Sequence, residues 1–163
     1  MAIGEVAEAR AFEARIQRLA ASATAVGDAP AAAFAEPGWF RTDDVGALDD
    51  SGSLRVLGRA DDAISTGGLT VLPQPVEAAL ATHPAIADCA VFGVTDESLG
   101  QRVVAAVVLQ GDAAAPSLEE LRAHVATTLP RSAAPREVHL LDELPRRGIG
   151  KVDRSALKSR FGP

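Results

Sequence analysis

Apolar positions change their spacing several times along this chain, and each change marks an element. Between residues 4 and 22, Val6, Phe12, Ile16 and Leu19 fall loosely on one helical face with charges opposite, which predicts a helix. Residues 23–35, interrupted by Gly27 and Pro30, keep no period and read as a linker. Short runs at Val45–Leu48 and Leu54–Leu57 flank Asp49-Asp50-Ser51-Gly52, a hairpin signal. A second hairpin is expected around Gly67-Gly68, between Ala63–Ser65 and Leu69–Leu72. Pro73, favourable in a first helical turn, precedes a helix expected over 74–82 that stops near His83-Pro84. Ile86–Val94 and Val103–Leu109 are long β-branched runs suited to central strands. Ser117-Leu118-Glu119-Glu120 opens as a capping box, and Leu118, Leu121, Val125 and Leu129 recur at helical spacing over 117–129. Val138–Leu141 is a third core strand, and Asp153 can cap a short C-terminal helix. The sum is an α+β (α/β) fold: a small mixed sheet of about three core strands packed with helices. A β-hairpin and a helical N-terminal extension precede it.

Composition trims this picture. Of 163 residues 47% are hydrophobic, but 33 are alanine, 14 of them before residue 36. The length suits one compact domain. One cysteine excludes an internal disulfide and a CxxC zinc site. No apolar run approaches the ~18 residues of a membrane span, and the N-terminus lacks a basic-then-apolar signal profile, so a cytoplasmic chain is expected. A net charge of −6 speaks against a nucleic-acid partner held by bulk electrostatics. That charge is uneven: residues 36–100 sum to −8 and residues 101–163 to +3. Positive charge resides in 14 arginines and only two lysines, Lys151 and Lys158. In such a chain a lysine can mark a place that needs a compact ammonium.

Most familiar catalytic patterns are missing. His83, His124 and His139 are far apart and lack metal-ligand spacing, so structural or surface roles are expected. Cys89 lies inside an apolar strand run and reads as a buried, inert thiol. Gly150-Lys151 is not a P-loop, because Pro145 and Val152 stand where that motif needs Gly and Ser/Thr. The segment Pro145-Arg146-Arg147-Gly148-Ile149-Gly150-Lys151 remains, with three cations and two glycines. It can meet a polyanion, or it can be an ordinary exposed basic turn.

A resemblance separates those two readings. Gly38-Trp39-Phe40-Arg41-Thr42-Asp43-Asp44, Gly58-Arg59-Ala60-Asp61-Asp62-Ala63-Ile64, Val71-Leu72-Pro73-Gln74-Pro75-Val76-Glu77 and Pro145–Lys151 occur in order. Together they resemble the last part of the adenylate-forming enzymes, the superfamily of acyl-CoA synthetases, nonribosomal adenylation domains and luciferases. The match runs from about residue 36 to the C-terminus. The wording of GRADDAISTGGLTVLPQPVEAAL and LPRRGIGKVDR is most similar to one branch, the actinobacterial 2-succinylbenzoate–CoA ligases of menaquinone biosynthesis.

The resemblance implies a hairpin over 36–58 matching the end of a large adenylating domain and a mobile C-terminal domain over 59–163; residues 1–35 lie outside the match and read as an Ala-rich helical leader or linker of open role. It implies an acid–thiol ligase whose substrates are ATP with Mg2+, CoA and an aryl carboxylate, with no metal held by this chain's own residues. Lys151 matches the lysine that bridges the substrate carboxylate and the α-phosphate during adenylation. Asp44 matches the aspartate that accepts from both ribose hydroxyls, Arg59 an arginine that helps hold the nucleotide, and Asp61 the hinge. Gly67 and Gly68 match the hairpin lining the CoA channel. Asp43 stands where the family usually has glycine, and Thr70 where several relatives have arginine. The implied partner is an N-terminal adenylating domain, without which no adenylation is expected. Two other readings stay open: a stand-alone module that binds CoA or a partner without chemistry, its 4–22 helix serving a homodimer, and the same domain from another aryl- or fatty-acyl-CoA ligase.

Overall fold

The computed structural model describes residues 15–16, 34–36, 39–41, 43–48, 51 and 53–162. The chain divides into two compact units, Met1–Asp61 and Asp62–Pro163. In the first, β1 (Arg15–Ile16), β2 (Phe34–Glu36) and β3 (Trp39–Arg41) form an antiparallel sheet in the order β1-β3-β2. This corrects the helix expected over 4–22 at Arg15 and Ile16, which pair with Arg41 and Phe40. It likewise takes Phe34 and Ala35 out of the expected linker. A loose helical period is a weak local preference, and pairing with a distant strand overrides it. The remainder of that helix and linker lies outside the described residues. β4 (Asp44–Leu48) and β5 (Leu54–Arg59) form the hairpin expected from the turn signal, with a bulge between Val45 and Gly46.

The second unit holds the larger sheet. Its elements are β6 (Ile64–Thr66), β7 (Leu69–Val71), α1 (Pro73–Leu80), β8 (Ile86–Asp96), β9 (Gly100–Leu109), α2 (Leu118–Val125), β10 (Glu137–Leu140), β11 (Arg146–Arg147), β12 (Lys151–Val152) and α3 (Arg154–Phe161). β9 is the organising strand. It pairs antiparallel with β8 along its length and parallel with β10 from Val104 to Val107. It meets β6 through the single pair Thr66↔Gly100. The three expected core strands are therefore β8, β9 and β10, and the β6–β7 hairpin brings the sheet to five.

Both faces of this sheet are covered. Val103, Ala105 and Val107 of β9 join Val76 and Leu80 of α1 and Leu121 and Val125 of α2 in one core. Val104 and Ala106 join Phe92, Leu144 and Leu157 of α3 in the other. Successive strand residues point to opposite faces, so strands covered twice read as unbroken apolar runs. Each fully buried valine, leucine or phenylalanine contributes about 1.5–3 kcal/mol.

Helix α2 starts where its capping box predicts. Ser117 Oγ accepts from the Glu120 N–H at 3.2 Å, and the Glu120 carboxylate accepts from the Ser117 N–H at 2.7 Å. It stops at Val125, short of the expected Leu129. There the Thr127 hydroxyl donates to the His124 carbonyl at 2.7 Å, and Pro130 disfavours helix at the residue before it. Leu129 still packs against the core, whereas Leu118 is exposed.

Candidate functional site

The glycine-rich basic segment folds as a small hairpin, β11–β12, with Arg147 opposite Lys151. Gly148 and Gly150 take φ of +48° and +88°, which glycine adopts without strain. The Asp153 N–H donates to the Pro145 carbonyl at 2.7 Å and closes the base. Arg146 donates to the Gly150 carbonyl at 2.6 Å across the hairpin and to Asp88 of β8 at 2.5 Å. Arg147 donates to Asp153. That bond, with the Ala156 N–H that Asp153 also accepts as N-cap of α3, holds its carboxyl below the usual carboxylate range.

These contacts distinguish the three cations of the segment from one another. Two arginines are engaged by carboxylates of their own domain. Lys151 is exposed and has no hydrogen bond or ion pair among the described residues. Nothing in the local pattern announces the Arg146–Asp88 pair; an acidic residue inside a core strand run is the one available hint.

A third arginine, just after this hairpin, was not singled out from sequence. Arg154, the first residue of α3, donates to Glu77 Oε1 of α1 at 2.6 Å and to the Val91 carbonyl of β8 at 3.2 Å. Its other nitrogen stands 3.5 Å from Asp62. Glu77 Oε1 also accepts from the Val91 N–H at 2.8 Å. The Val91 N–H and carbonyl on the β8 edge are thus satisfied by side chains, and α1, β8, α3 and Asp62 are tied together.

Asp44, Arg59 and Asp61 lie together in the first unit. Asp44 and Arg59 are cross-strand partners in the β4–β5 hairpin, 3.8 Å apart as an ion pair. Arg59 also donates to Asp61 at 3.2 Å. That bond first, and then the charges of Asp61, Asp44 and Asp43, push the guanidinium pKa further up. Asp43 has φ +56°, the left-handed region, which gives a physical reason for glycine as the usual residue there. Asp61 sits in a 3-10 turn, Ala60–Asp62, and the boundary between the two units falls just after it.

Gly67 and Gly68 form the tip of the β6–β7 hairpin. Positive φ at both, +57° and +80°, is the two-residue turn that matches strand twist. Space around Gly68 is open, with nothing within 4 Å of where a Cβ would stand. Gly67 and Gly68 thus share the second unit with Lys151 but lie on a different hairpin.

The remaining expectations concern inert groups. Cys89 is half-buried; burial first, then Glu77 and Asp88, pushes its thiol up to about 12. His124 Nε2 lies 2.8 Å from Thr82 Oγ1, and His83 Nδ1 accepts from the Ala85 N–H at 3.2 Å. His139 stacks on Phe161 with centroids 3.8 Å apart. Its Nε2 is 2.9 Å from Glu137 but off the line of a hydrogen bond. Among the described residues no group of three or more His, Cys, Asp or Glu could hold a metal ion, and no helix is long and apolar enough to cross a membrane.

A two-sided sheet with a glycine hairpin at one end and a lysine-bearing hairpin before its last helix defines a class. Residues 75–151 match the family described as the AMP-binding enzyme C-terminal domain, a domain of the adenylate-forming enzymes. Over 130 residues it is 71% identical to a probable 2-succinylbenzoate–CoA ligase of Mycobacterium tuberculosis, covering 78% of this chain and 34% of that protein. An acetyl-coenzyme A synthetase of Mycolicibacterium smegmatis is 40% identical over 128 residues, 77% of this chain and 14% of that protein. The solved o-succinylbenzoate CoA synthetase of Bacillus subtilis, in complex with its acyl-adenylate intermediate, superposes with a TM-score of 0.73 at 36% identity, over 81% of this chain and 26% of that one. The chain spans about a third of the length of the first of these relatives.

Proposed function

We propose that this chain supplies the mobile C-terminal domain of a cytoplasmic acyl-CoA ligase acting on 2-succinylbenzoate in menaquinone biosynthesis. The observation that carries the reading is the 71% identity to the mycobacterial ligase. In the first half-reaction a carboxylate oxygen attacks the α-phosphorus of ATP and pyrophosphate leaves. Charge grows on the five-coordinate phosphorus, and Lys151, on a braced hairpin without a carboxylate of its own, is suited to stabilise it. Asp44 offers two acceptors to the ribose diol, and Arg59, held by two carboxylates, faces the nucleotide. A magnesium ion brought in with ATP would neutralise phosphate charge, with no residue of this chain assigned to hold it. In the second half-reaction the CoA thiol attacks the acyl carbonyl, loses its proton to solvent and displaces AMP. Rotation about Asp61 exchanges the Lys151 hairpin for the Gly67–Gly68 hairpin, whose open tip admits the pantetheine arm.

The required partner is an N-terminal adenylating domain. The test is a chimera in which this domain replaces the corresponding segment of the mycobacterial relative, assayed by ATP–pyrophosphate exchange with 2-succinylbenzoate and by thioester formation with CoA. Both activities are expected. The chain alone should give no exchange above background. A folded chimera that binds CoA yet performs neither half-reaction would favour a binding module instead.

A further inference from the structure

The β6–β7 hairpin is held to the sheet by little backbone. Its one ladder pair with β9 is Thr66↔Gly100, and the Gly67 N–H donates to the Leu99 carbonyl at 2.9 Å. Further along β6, the Ser65 N–H finds no strand partner in β9 and donates instead to Gln101 Oε1 at 2.9 Å. Gln101 can reach because it lies flat over Gly93 of β8. A Cβ at residue 93 would stand 3.1 Å from the Gln101 Cδ and Oε1, and 3.0 Å from Cγ2 of Ile64 in β6. Those distances are tighter than ordinary carbon contacts, so a Cβ at 93 would press Gln101 and Ile64 outward by a few tenths of an ångström. The turn that receives Gly67 is fixed as well. Asp96 Oδ1 accepts from the Ser98 hydroxyl at 2.7 Å and from the Ser98 and Leu99 N–H groups at 3.0 Å.

We propose that Gln101, seated on Gly93, is a positioning residue for the Gly67–Gly68 hairpin and thereby sets the apparent affinity for the CoA arm. The inference rests on the functional reading above and extends it to residues outside the motifs that support that reading. Glutamine suits the task because its carbonyl accepts the amide proton without placing a charge beside the sheet. Glutamate keeps the acceptor, whereas leucine keeps the volume and loses it.

Two measurements test it. In the chain itself, amide hydrogen exchange at Ser65 should quicken about 3- to 10-fold in Gln101→Leu, the range expected of one hydrogen bond, and stay near the parent rate in Gln101→Glu. Protection across Val104–Val107 should persist. In the chimera, Gln101→Leu should raise the KM for CoA by about the same factor while ATP–pyrophosphate exchange stays within about twofold. Gln101→Glu should restore that KM, and Gly93→Ala, which presses the side chain outward, should imitate the leucine variant. A merely structural role would depress both half-reactions together, since Lys151 belongs to the same unit. Unaltered Ser65 exchange overturns the strut. An unaltered KM for CoA in an active chimera overturns the inference alone, and a parent chimera that transfers nothing to CoA overturns the reading beneath it.

Discussion

Replacing Arg154 with methionine removes the guanidinium from Glu77, Val91 and Asp62 while keeping much of its apolar stem. The side chains of Arg154 and Glu77 are only 21% and 18% exposed, so their pairing is screened far less than a surface ion pair. A hydrogen bond to a charged group is worth about 1.5–3 kcal/mol, and orphaning a buried charge costs about 3–5 kcal/mol. The partial exposure here and the retained Val91 N–H bond lower the second figure. We expect Arg154→Met to destabilise the domain by about 2–3 kcal/mol, or roughly 10–20 °C in Tm for a unit of this size. The informative variant is the double, Arg154→Met with Glu77→Gln. The amide still accepts from Val91 but leaves no unpaired charge, so the double should be about 1 kcal/mol more stable than Arg154→Met alone. Urea unfolding followed by far-UV circular dichroism measures both, together with Glu77→Gln alone, with a constant m-value as the check on two-state behaviour. If Arg154→Met costs under about 0.5 kcal/mol, or if the two substitutions simply add, Glu77 does not depend on Arg154 as argued.

Lys151→Ala should reduce adenylation in the chimera by about 10²–10³-fold while sparing transfer from preformed acyl-AMP to CoA; equal losses in the two half-reactions would remove Lys151 from the first. Cys89, its thiol raised to about 12, should react with a disulfide reagent at pH 8 far more slowly than a free thiol, because so little of it is thiolate. Labelling at the rate of a free thiol would contradict the burial. Asp153, whose carboxyl is held low chiefly by Arg147, contributes stability that is present above the ordinary carboxylate range and lost as pH falls through its depressed folded value. Asp153→Asn keeps an acceptor for Ala156 and should flatten acid unfolding below about pH 4. An unchanged acid limb would show that the charge does not matter there.

Legibility from sequence followed how locally each feature is determined. The strands of the second unit were readable because cover on both faces turns Val91–Val94 and Val103–Val107 into unbroken apolar runs. The α2 and α3 starts were readable because Ser117 and Asp153 satisfy helix N–H groups within three residues of themselves. What escaped is non-local. Thr95-Asp96 and Gly100-Gln101-Arg102 look like loop yet pair as the ends of β8 and β9, because the ladder continues past the apolar core. The β6–β7 hairpin was readable around Gly67-Gly68, but its place in the main sheet was not, because β6 joins β9 through one pair and a side chain. At the site, Lys151, Asp44 and Arg59 became candidates through the resemblance of their motifs to a known family. The bracing by Asp88, Glu77 and Gln101 depends on which strand lies beside which, and no period records that.

The imbalance of 14 arginines to two lysines takes on meaning from these contacts. Arg154 bonds a carboxylate and a carbonyl at once, and Arg146 does the same with Asp88 and Gly150. Arg102 joins Glu137 of β10 at 2.7 Å and the Thr95 carbonyl at 3.0 Å. Each ties together segments distant in sequence, a task that a planar five-donor fork performs and a single ammonium does not. Arginine is thus largely structural in this domain, and its charge is consumed by its own carboxylates. A cation meant for a transient phosphate charge has the opposite requirement: it must be compact and unengaged until the hairpin reaches its ligand. On the proposed function, Lys151, between braced arginines and beside a glycine at φ +88°, is the residue suited to that requirement. The net charge of −6 says nothing about it, because what an anionic ligand meets is the residual charge left after internal pairing.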